Sequence, residues 1–141
     1  MELIIGKQFA EKIIPLIDEA KNTIRVVVFD WRWYPNDPGN PVQLFNQAIV
    51  RAAKRGVKVD AIVTFEPLVK TLRDLGVNAK KLTSTNLLHT KLILIDDEIV
   101  VVGSHNFTAP AFTKNFEVSV FFTDTELGQN LINYFNQIWQ L

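Results

Sequence analysis

Stretches of continuously apolar residues alternate along this chain with stretches in which apolar residues recur at helical spacing. The first pattern is typical of strands buried on both faces of a sheet, and the second of helices with one buried face. The pattern predicts strands at Glu2–Ile5, Thr23–Asp30, Val57–Thr64, Val77–Leu82, His89–Ile95, Ile99–Val102 and Glu117–Phe122. The acidic run Asp96-Asp97-Glu98 predicts a tight hairpin turn between two of them.

Helices are predicted between these strands. The first has its apolar stripe at Phe9, Ile13, Leu16, Ile17 and Ala20. Pro15 is expected either to kink this helix or to mark its true start. Asn40 and Pro41 predict the start of the second helix and Gly56 its end. Shorter segments are predicted at Pro67–Leu75 and near Phe107–Lys114, followed by a closing helix striped by Leu127, Leu131, Ile132, Phe135, Ile138 and Trp139.

This alternation predicts an α/β fold with a mixed β-sheet covered by helices on both faces. A chain of 141 residues with 48% hydrophobic content is expected to form a single domain over residues 1–141. Polar side chains accumulate at strand ends, where sites in such sheets usually lie. His89 begins its predicted strand, whereas Asp30 and Thr64 end theirs. Whether these ends meet depends on strand directions that the sequence does not determine.

Composition narrows the classes of protein further. The absence of cysteine excludes a disulfide framework and thiolate metal ligands. The formal net charge is zero, which argues against a protein that coats nucleic acid over its whole surface. Residues 1–91 nevertheless carry 14 Lys and Arg against 9 Asp and Glu, so a basic patch remains possible. No signal peptide or membrane-spanning run is recognisable, and a cytoplasmic protein is expected unless the chain is part of a longer one.

The candidate chemistry lies in residues 89–108. Alternate side chains of a strand share a face, so His89 and Lys91 are expected to emerge side by side. Ser104 and Asn106 do the same if the chain stays extended there. An imidazole, an ammonium, a hydroxyl and an amide together suit a phosphate group, because a nucleophile or base then stands beside fixed donors.

These residues form a longer pattern that strongly resembles the phospholipase D superfamily. His89, Lys91 and Asp96 match its H-x-K-x-x-x-x-D motif. The match continues through Gly103, Ser104, Asn106, Thr108, Asn115 and Glu117. The resemblance spans essentially the whole chain, and it is to the small single-motif members, such as bacterial endonucleases that work as homodimers. It implies the phospholipase D-like fold and a phosphodiesterase that needs no metal or other cofactor.

The resemblance also implies a mechanism. In that superfamily the motif histidine attacks phosphorus to form a phosphohistidine, and a second histidine protonates the leaving oxygen. In-line displacement places the two on opposite sides of phosphorus. This chain has one such motif, so the second histidine is expected from a symmetric partner. The alternative within the chain is His105, which points away if Ser104 and Asn106 face the site. It is expected to be a loop residue near the site or at the dimer seam.

The resemblance suggests roles for the other residues. Lys91 and Asn106 would bind non-bridging phosphate oxygens, and Ser104 would add a hydroxyl donor. Glu117 would hold one imidazole nitrogen so that the other faces phosphorus. Asp96 is expected to be a turn or buried structural group. The acidic run that contains it is better explained as a hairpin than as a metal site, and no metal is expected.

The substrate is the least determined feature. Trp31, Arg32, Trp33 and Tyr34 directly follow a buried strand, where they could stack unpaired bases, rest against a lipid interface, or pack at a rim or dimer contact. The single motif and the nuclease-like layout favour DNA or RNA. The alternatives are a phospholipase D or phosphatidyltransferase acting on phospholipid, and a non-catalytic module that binds nucleic acid or phosphate.

Overall fold

The computed structural model describes all residues 1–141, which form one seven-stranded sheet and five α-helices. The strands are β1 (Glu2–Ile5), β2 (Thr23–Val28), β3 (Lys58–Val63), β4 (Asn78–Lys81), β5 (Lys91–Ile95), β6 (Ile99–Gly103) and β7 (Val118–Thr123). The helices are α1 (Phe9–Asp18), α2 (Pro41–Lys54), α3 (Glu66–Asp74), α4 (Ala109–Thr113) and α5 (Thr125–Trp139). The strand order is β1-β7-β6-β5-β2-β3-β4. Strands β2, β3 and β4 are parallel, whereas all other neighbours are antiparallel.

Alternation of side chains along the strands divides the core into two layers. On β2, Val26 and Val28 belong to the main cluster, which also contains the buried faces of α1 to α4. Val27 points the other way and joins a smaller cluster that contains Phe135 of α5. Burial on both faces explains why these strands are apolar without alternation. The predicted mixed sheet with helices on both faces is therefore confirmed.

Capping residues and prolines in the sequence predicted the start of α2 correctly but left the start of α1 open. The Asn40 side chain accepts a hydrogen bond from the Val42 N–H at 3.0 Å, and Pro41 occupies the first position of α2. Pro15, in contrast, lies inside α1, which begins at Phe9. The expectation that Pro15 marks the helix start is therefore wrong. The buried side chains of α1, on both sides of the proline, hold the helix against the core across the missing hydrogen bond.

The acidic run forms the predicted hairpin between β5 and β6. Asp96 and Asp97 have φ angles of 52° and 62°, as the two central residues of a tight hairpin turn require. The Asp96 carboxylate accepts hydrogen bonds from the backbone N–H groups of Lys21, Asn22 and Thr23, the shortest at 2.7 Å. Burial alone would raise the pKa of Asp96, but these donors outweigh it and the pKa is lowered. Asp96 thus anchors the hairpin to the start of β2.

Strand direction brings the polar strand ends together. Because β5 runs antiparallel to β2, Lys91 lies opposite Val28, and the start of β5 adjoins the carboxyl end of β2. The end of β6 adjoins the start of β7 in the same way, with Gly103 opposite Ser119. All these ends lie on the edge of the sheet away from Asp96. None of the helices is long and apolar enough to cross a membrane.

Candidate active site

His89 and Lys91 lie side by side at this edge, as their spacing predicted. His89 precedes β5 rather than opening it, and its side chain is exposed. The ammonium of Lys91 lies 3.1 Å from Nδ1 and 3.2 Å from Nε2 of that ring. The ring of Phe29, just after β2, has its centroid 5.2 Å from the imidazole centroid. Phe29 therefore supports the histidine from the side of β2.

The environment of Lys91 suits an anion. Burial lowers the pKa of Lys91, and the carboxylate of Glu117 opposes that shift by its charge. The ammonium also lies 5.9 Å from the centre of the Phe29 ring. A cation that has lost part of its hydration shell interacts more strongly with a phosphate than one in bulk water does.

Asn106 is held beside these residues by backbone pairing with the segment after β2. The Phe107 N–H donates to the Asp30 carbonyl at 3.0 Å, and the Arg32 N–H donates to the Phe107 carbonyl at 2.9 Å. The Asn106 side-chain oxygen accepts a hydrogen bond from the Asp30 N–H at 3.1 Å. Because the oxygen is engaged, the Nδ2 amide group is left as a donor that no protein group accepts. Extending the β2–β5 register places Asp30 opposite His89, so Asn106 and His89 both adjoin Asp30 at this edge of the sheet.

The side chains of Ser104 and Glu117 are hydrogen-bonded to each other. The Ser104 hydroxyl donates to Glu117 Oε1 at 2.5 Å and accepts from the Val118 N–H at 3.0 Å. Asn115 donates to Glu117 Oε2 at 3.1 Å. Neither oxygen of the Glu117 carboxylate bonds His89 of the same chain. Ser104 and Asn115 position Glu117, whose charge acts near Lys91. The predicted roles of Glu117 in holding an imidazole and of Ser104 as a phosphate donor stay predictions.

His105, the second histidine, is buried. Its side chain is 1% exposed and its ring centroid lies 4.8 Å from that of Phe9. Nδ1 lies 2.7 Å from the Ser119 hydroxyl and Nε2 lies 2.8 Å from the Gly6 carbonyl. Because a carbonyl only accepts, Nε2–H donates to Gly6 and the hydroxyl donates to Nδ1. Burial lowers the pKa of His105, although the Gly6 carbonyl and Glu117 oppose the shift. His105 points away from the site as expected, but it lies in the core and not at a surface seam.

Gly103 and Thr108 maintain the backbone between these residues. A side chain at Gly103 would collide with Ser119, so only glycine lets β6 approach β7 there. Thr108 caps α4, since its hydroxyl accepts from the Ala111 N–H at 3.4 Å. The sequence motif thus includes residues that shape the chain beside those that face the site.

The aromatic run after β2 is divided between core and surface. Trp31 is 4% exposed and its indole N–H donates to Asn46 Oδ1 at 2.7 Å. The Tyr34 hydroxyl accepts from the Ala109 N–H at 2.9 Å. Of the alternatives that the sequence left open, packing therefore holds for the side chains of Trp31 and Tyr34. Arg32 is exposed and paired with Asp30 at 2.7 Å, and Trp33 is half-buried.

A cleft that the sequence did not predict lies beside the site. It has a volume of about 440 Å³ and lies between the ends of β2 and β3 and the start of α3. Phe29, Phe65, Arg32, Trp33 and Thr64 are among its lining residues. Phe65 is 61% exposed. The overlooked signal was a phenylalanine within two residues of the end of each of two buried strands, where a polar or glycine residue is more usual.

The chain holds no group of three or more His, Asp or Glu side chains arranged to bind a metal ion. The acidic run that raised this question forms the hairpin at the opposite end of the sheet.

This fold, with a histidine–lysine pair and an asparagine at one sheet edge, is that of phospholipase D-like proteins. A family model described as cardiolipin synthase, PLD-like domain, matches residues 13–139. The chain therefore belongs to the phospholipase D-like family, as the motif predicted.

Individual relatives agree with this assignment. Cardiolipin synthase 1 of Staphylococcus epidermidis is 31% identical over 108 residues, which are 69% of this chain and 22% of that protein. The chain thus spans about a quarter or less of that relative. Nuc, a phospholipase D family member from Salmonella typhimurium, has a TM-score of 0.81 at 23% identity, covering 99% of this chain and 94% of Nuc. NucT from Helicobacter pylori has a TM-score of 0.77 with the same identity and coverage. These two structures confirm the fold.

Proposed function

We propose that this protein is a metal-independent phosphodiesterase that cleaves DNA or RNA through a phosphohistidine, with one active site shared between two copies of the chain. One observation carries the proposal. His89 is exposed beside Lys91, at the edge of the sheet where Asn106 bonds the Asp30 N–H, whereas His105 is enclosed in the core with both ring nitrogens bonded.

In the first step, a nitrogen of neutral His89 attacks phosphorus. The P–N bond forms as the bond from phosphorus to the leaving oxygen breaks. Lys91 and the Asn106 Nδ2 group donate to the non-bridging oxygens, where negative charge accumulates in the transition state. Lys91 supplies charge and Asn106 supplies direction, because its oxygen is fixed by the Asp30 N–H.

The leaving oxygen needs a proton from the side opposite His89. His105 cannot give it, because it is buried and its one N–H is bound to Gly6. His89 of the partner subunit, in its protonated form, is the remaining histidine. It then accepts a proton from the water that attacks the phosphohistidine, which breaks the P–N bond and restores both residues.

An exposed apolar surface beside the site supports the two-copy arrangement. Ladder partners Ile5 and Val118 are each 54% exposed on one face of the sheet, and Leu3 and Val102 are exposed on the same face. Phe116, next to Glu117, is fully exposed. Contiguous apolar surface of this kind marks an interaction site in soluble proteins. A second copy is the occupant that would also complete the catalytic pair.

Nucleic acid is the proposed substrate because cations and aromatic side chains flank the site. Arg32 is exposed after β2, and Lys81 ends β4 at the same edge of the sheet, opposite Val63. Transfer of a phosphatidyl group is the second candidate, since sequence relatives named cardiolipin synthase match a large part of the chain. It would use the same phosphohistidine, with an alcohol in place of water.

The test is cleavage of labelled single- and double-stranded DNA and RNA in excess EDTA, with phosphatidylglycerol vesicles assayed in parallel. Wild type is compared with His89→Ala and with Asn86→Ala, an exposed residue of the preceding loop. Cleavage of a polymer by wild type and Asn86→Ala, but not by His89→Ala, is expected. Phosphatidyl transfer without polymer cleavage would replace the nuclease by the second candidate. Equal cleavage by His89→Ala would remove the mechanism.

A further inference from the structure

The cleft between the ends of β2 and β3 shares a wall with the site. We call it the aromatic cleft and define it by Phe29, Arg32, Trp33, Thr64 and Phe65. The Thr64 hydroxyl donates to the Phe29 carbonyl at 2.7 Å, which fixes the backbone at the junction. The ring of Phe29 also lies next to His89, since the two ring centroids are 5.2 Å apart. A group bonded to a phosphate at His89 therefore has this cleft as its neighbouring space.

The lining of the cleft combines aromatic faces with polar edges. Phe65 is largely exposed although it heads α3, and Trp33 is half-buried. The Asp30–Arg32 ion pair and the hydroxyls of Thr64 and Thr71 also line the cleft. A lipid acyl chain would exclude water from the exposed Asp30–Arg32 pair without offering it a hydrogen bond, which costs free energy. A planar heterocycle presents an aromatic face to the rings and a hydrogen-bonding edge to the polar groups. The volume of about 440 Å³ is of the order found for small-ligand pockets.

We propose that the aromatic cleft binds the nucleobase of a nucleotide attached to the scissile phosphate. The inference rests on the proposed nuclease function and adds a base-binding subsite to it. Phe65 stacks on the base, and Thr64 and Arg32 contact its polar edge. A base that is stacked and paired within a duplex cannot enter such a cleft without first leaving the helix. Unpaired strands are therefore the preferred substrate.

The experiment measures binding and cleavage separately with the full chain in EDTA. Wild type, Phe65→Ala and Leu44→Ala are titrated with a short single-stranded oligonucleotide, and with an abasic oligomer of the same length that retains the phosphodiesters. Leu44 is the matched control because it is an exposed apolar residue on α2 that does not line the cleft. Phe65 is exposed, so its truncation leaves the core intact.

Phe65→Ala is expected to weaken binding of the base-bearing strand about tenfold and to lower kcat/KM on it by a similar factor. The affinity of Phe65→Ala for the abasic oligomer should equal that of wild type. Leu44→Ala should bind both oligomers with wild-type affinity. Wild type binds the single strand more tightly than the matching duplex. If Phe65→Ala weakens binding of the base-bearing strand and not of the abasic oligomer, a base subsite has been lost and the phosphate site is intact.

The outcomes separate this inference from the proposed function. If wild type cleaves the oligonucleotide but Phe65→Ala and Leu44→Ala are equal, the base subsite is wrong and the nuclease remains. If wild type binds the abasic oligomer as tightly as the base-bearing strand, the subsite is also wrong. Base-dependent binding without cleavage supports the cleft and contradicts the proposed catalysis. Turnover of phospholipid with no binding of the oligonucleotide overturns both.

Discussion

The two histidines of this chain occupy opposite environments within one small sheet. His89 lies exposed at the edge of the sheet, beside a partly desolvated lysine. His105 lies in the core, hydrogen-bonded to Ser119 and to the Gly6 carbonyl and packed on Phe9. The same side chain is therefore available for chemistry at one position and serves packing at the other.

The comparison shows why histidine count is a poor guide to mechanism. Both ring nitrogens of His105 have partners, and burial lowers its pKa. It is thus a poor proton donor near neutral pH, and its only N–H points away from the site. In-line cleavage by two histidines would therefore need a second one from another copy of the chain, because only His89 is exposed. Variants of the two histidines and of Lys91 can test whether His89 alone takes part in catalysis.

His89→Ala should lower kcat by about 10³-fold or more, because it removes both the nucleophile and the acid of a symmetric pair. The thermal midpoint should stay near that of wild type, because the side chain is exposed. Single-turnover cleavage and circular dichroism measure the two effects. Residual activity within about tenfold of wild type would show that another group attacks phosphorus.

Lys91→Ala should lower kcat by about 10²-fold, the usual cost of removing one donor that stabilises transition-state charge. The matched control is Lys54→Ala, an exposed lysine at the end of α2. Steady-state cleavage of a labelled oligonucleotide compares the two variants. Equal activities would remove Lys91 from the phosphate site.

His105→Phe should affect stability and not catalysis. It leaves the Ser119 hydroxyl and the Gly6 carbonyl without their partner, which should reduce the free energy of unfolding by about 2 kcal/mol. Activity per folded molecule should remain within about threefold of wild type. Urea unfolding and cleavage assays on the same samples measure both. A loss of kcat comparable with that of His89→Ala would make His105 the acid within the chain.

The pH dependence of stability should also come partly from His105. Its pKa in the folded state is below the ordinary value of 6.5, so the stabilising contribution is present above pH 6.5. As the pH falls below 6.5, the unfolded chain takes up a proton that the folded chain does not, and stability declines toward the folded pKa. Urea unfolding between about pH 7.5 and pH 5 should show a steeper decline for wild type than for His105→Phe. Parallel curves would contradict the assignment.

Much of the fold was predictable because its signals are local. Helix caps such as Asn40 and the apolar strands depend on nearby residues, so the alternating elements were placed within a few positions. The direction of β5 relative to β2 was not predictable, since it depends on pairing between segments far apart in sequence. That direction decides whether His89 meets Asp30.

The parts of the site that depend on nearby residues were predictable, and those that depend on distant residues were not. His89 and Lys91 are two residues apart, so strand geometry alone put them together. Glu117 and Trp31 bond Ser104 and Asn46, which lie 13 and 15 residues away, and no local pattern in the sequence predicts such contacts. Phe65 was overlooked because an exposed phenylalanine acquires meaning only once a cleft forms beside it.

We expect the catalytic pair to consist of two copies of His89, and mixing of wild-type and variant subunits can show whether it does. Wild type and His89→Ala are combined in equal amounts, exchanged by mild denaturation and refolding, and assayed at constant total protein. If each site needs both copies, only dimers of two wild-type chains cleave, and activity should fall to about one quarter of wild type. Activity of about one half, together with a monomeric mass in sedimentation, would contradict the shared site.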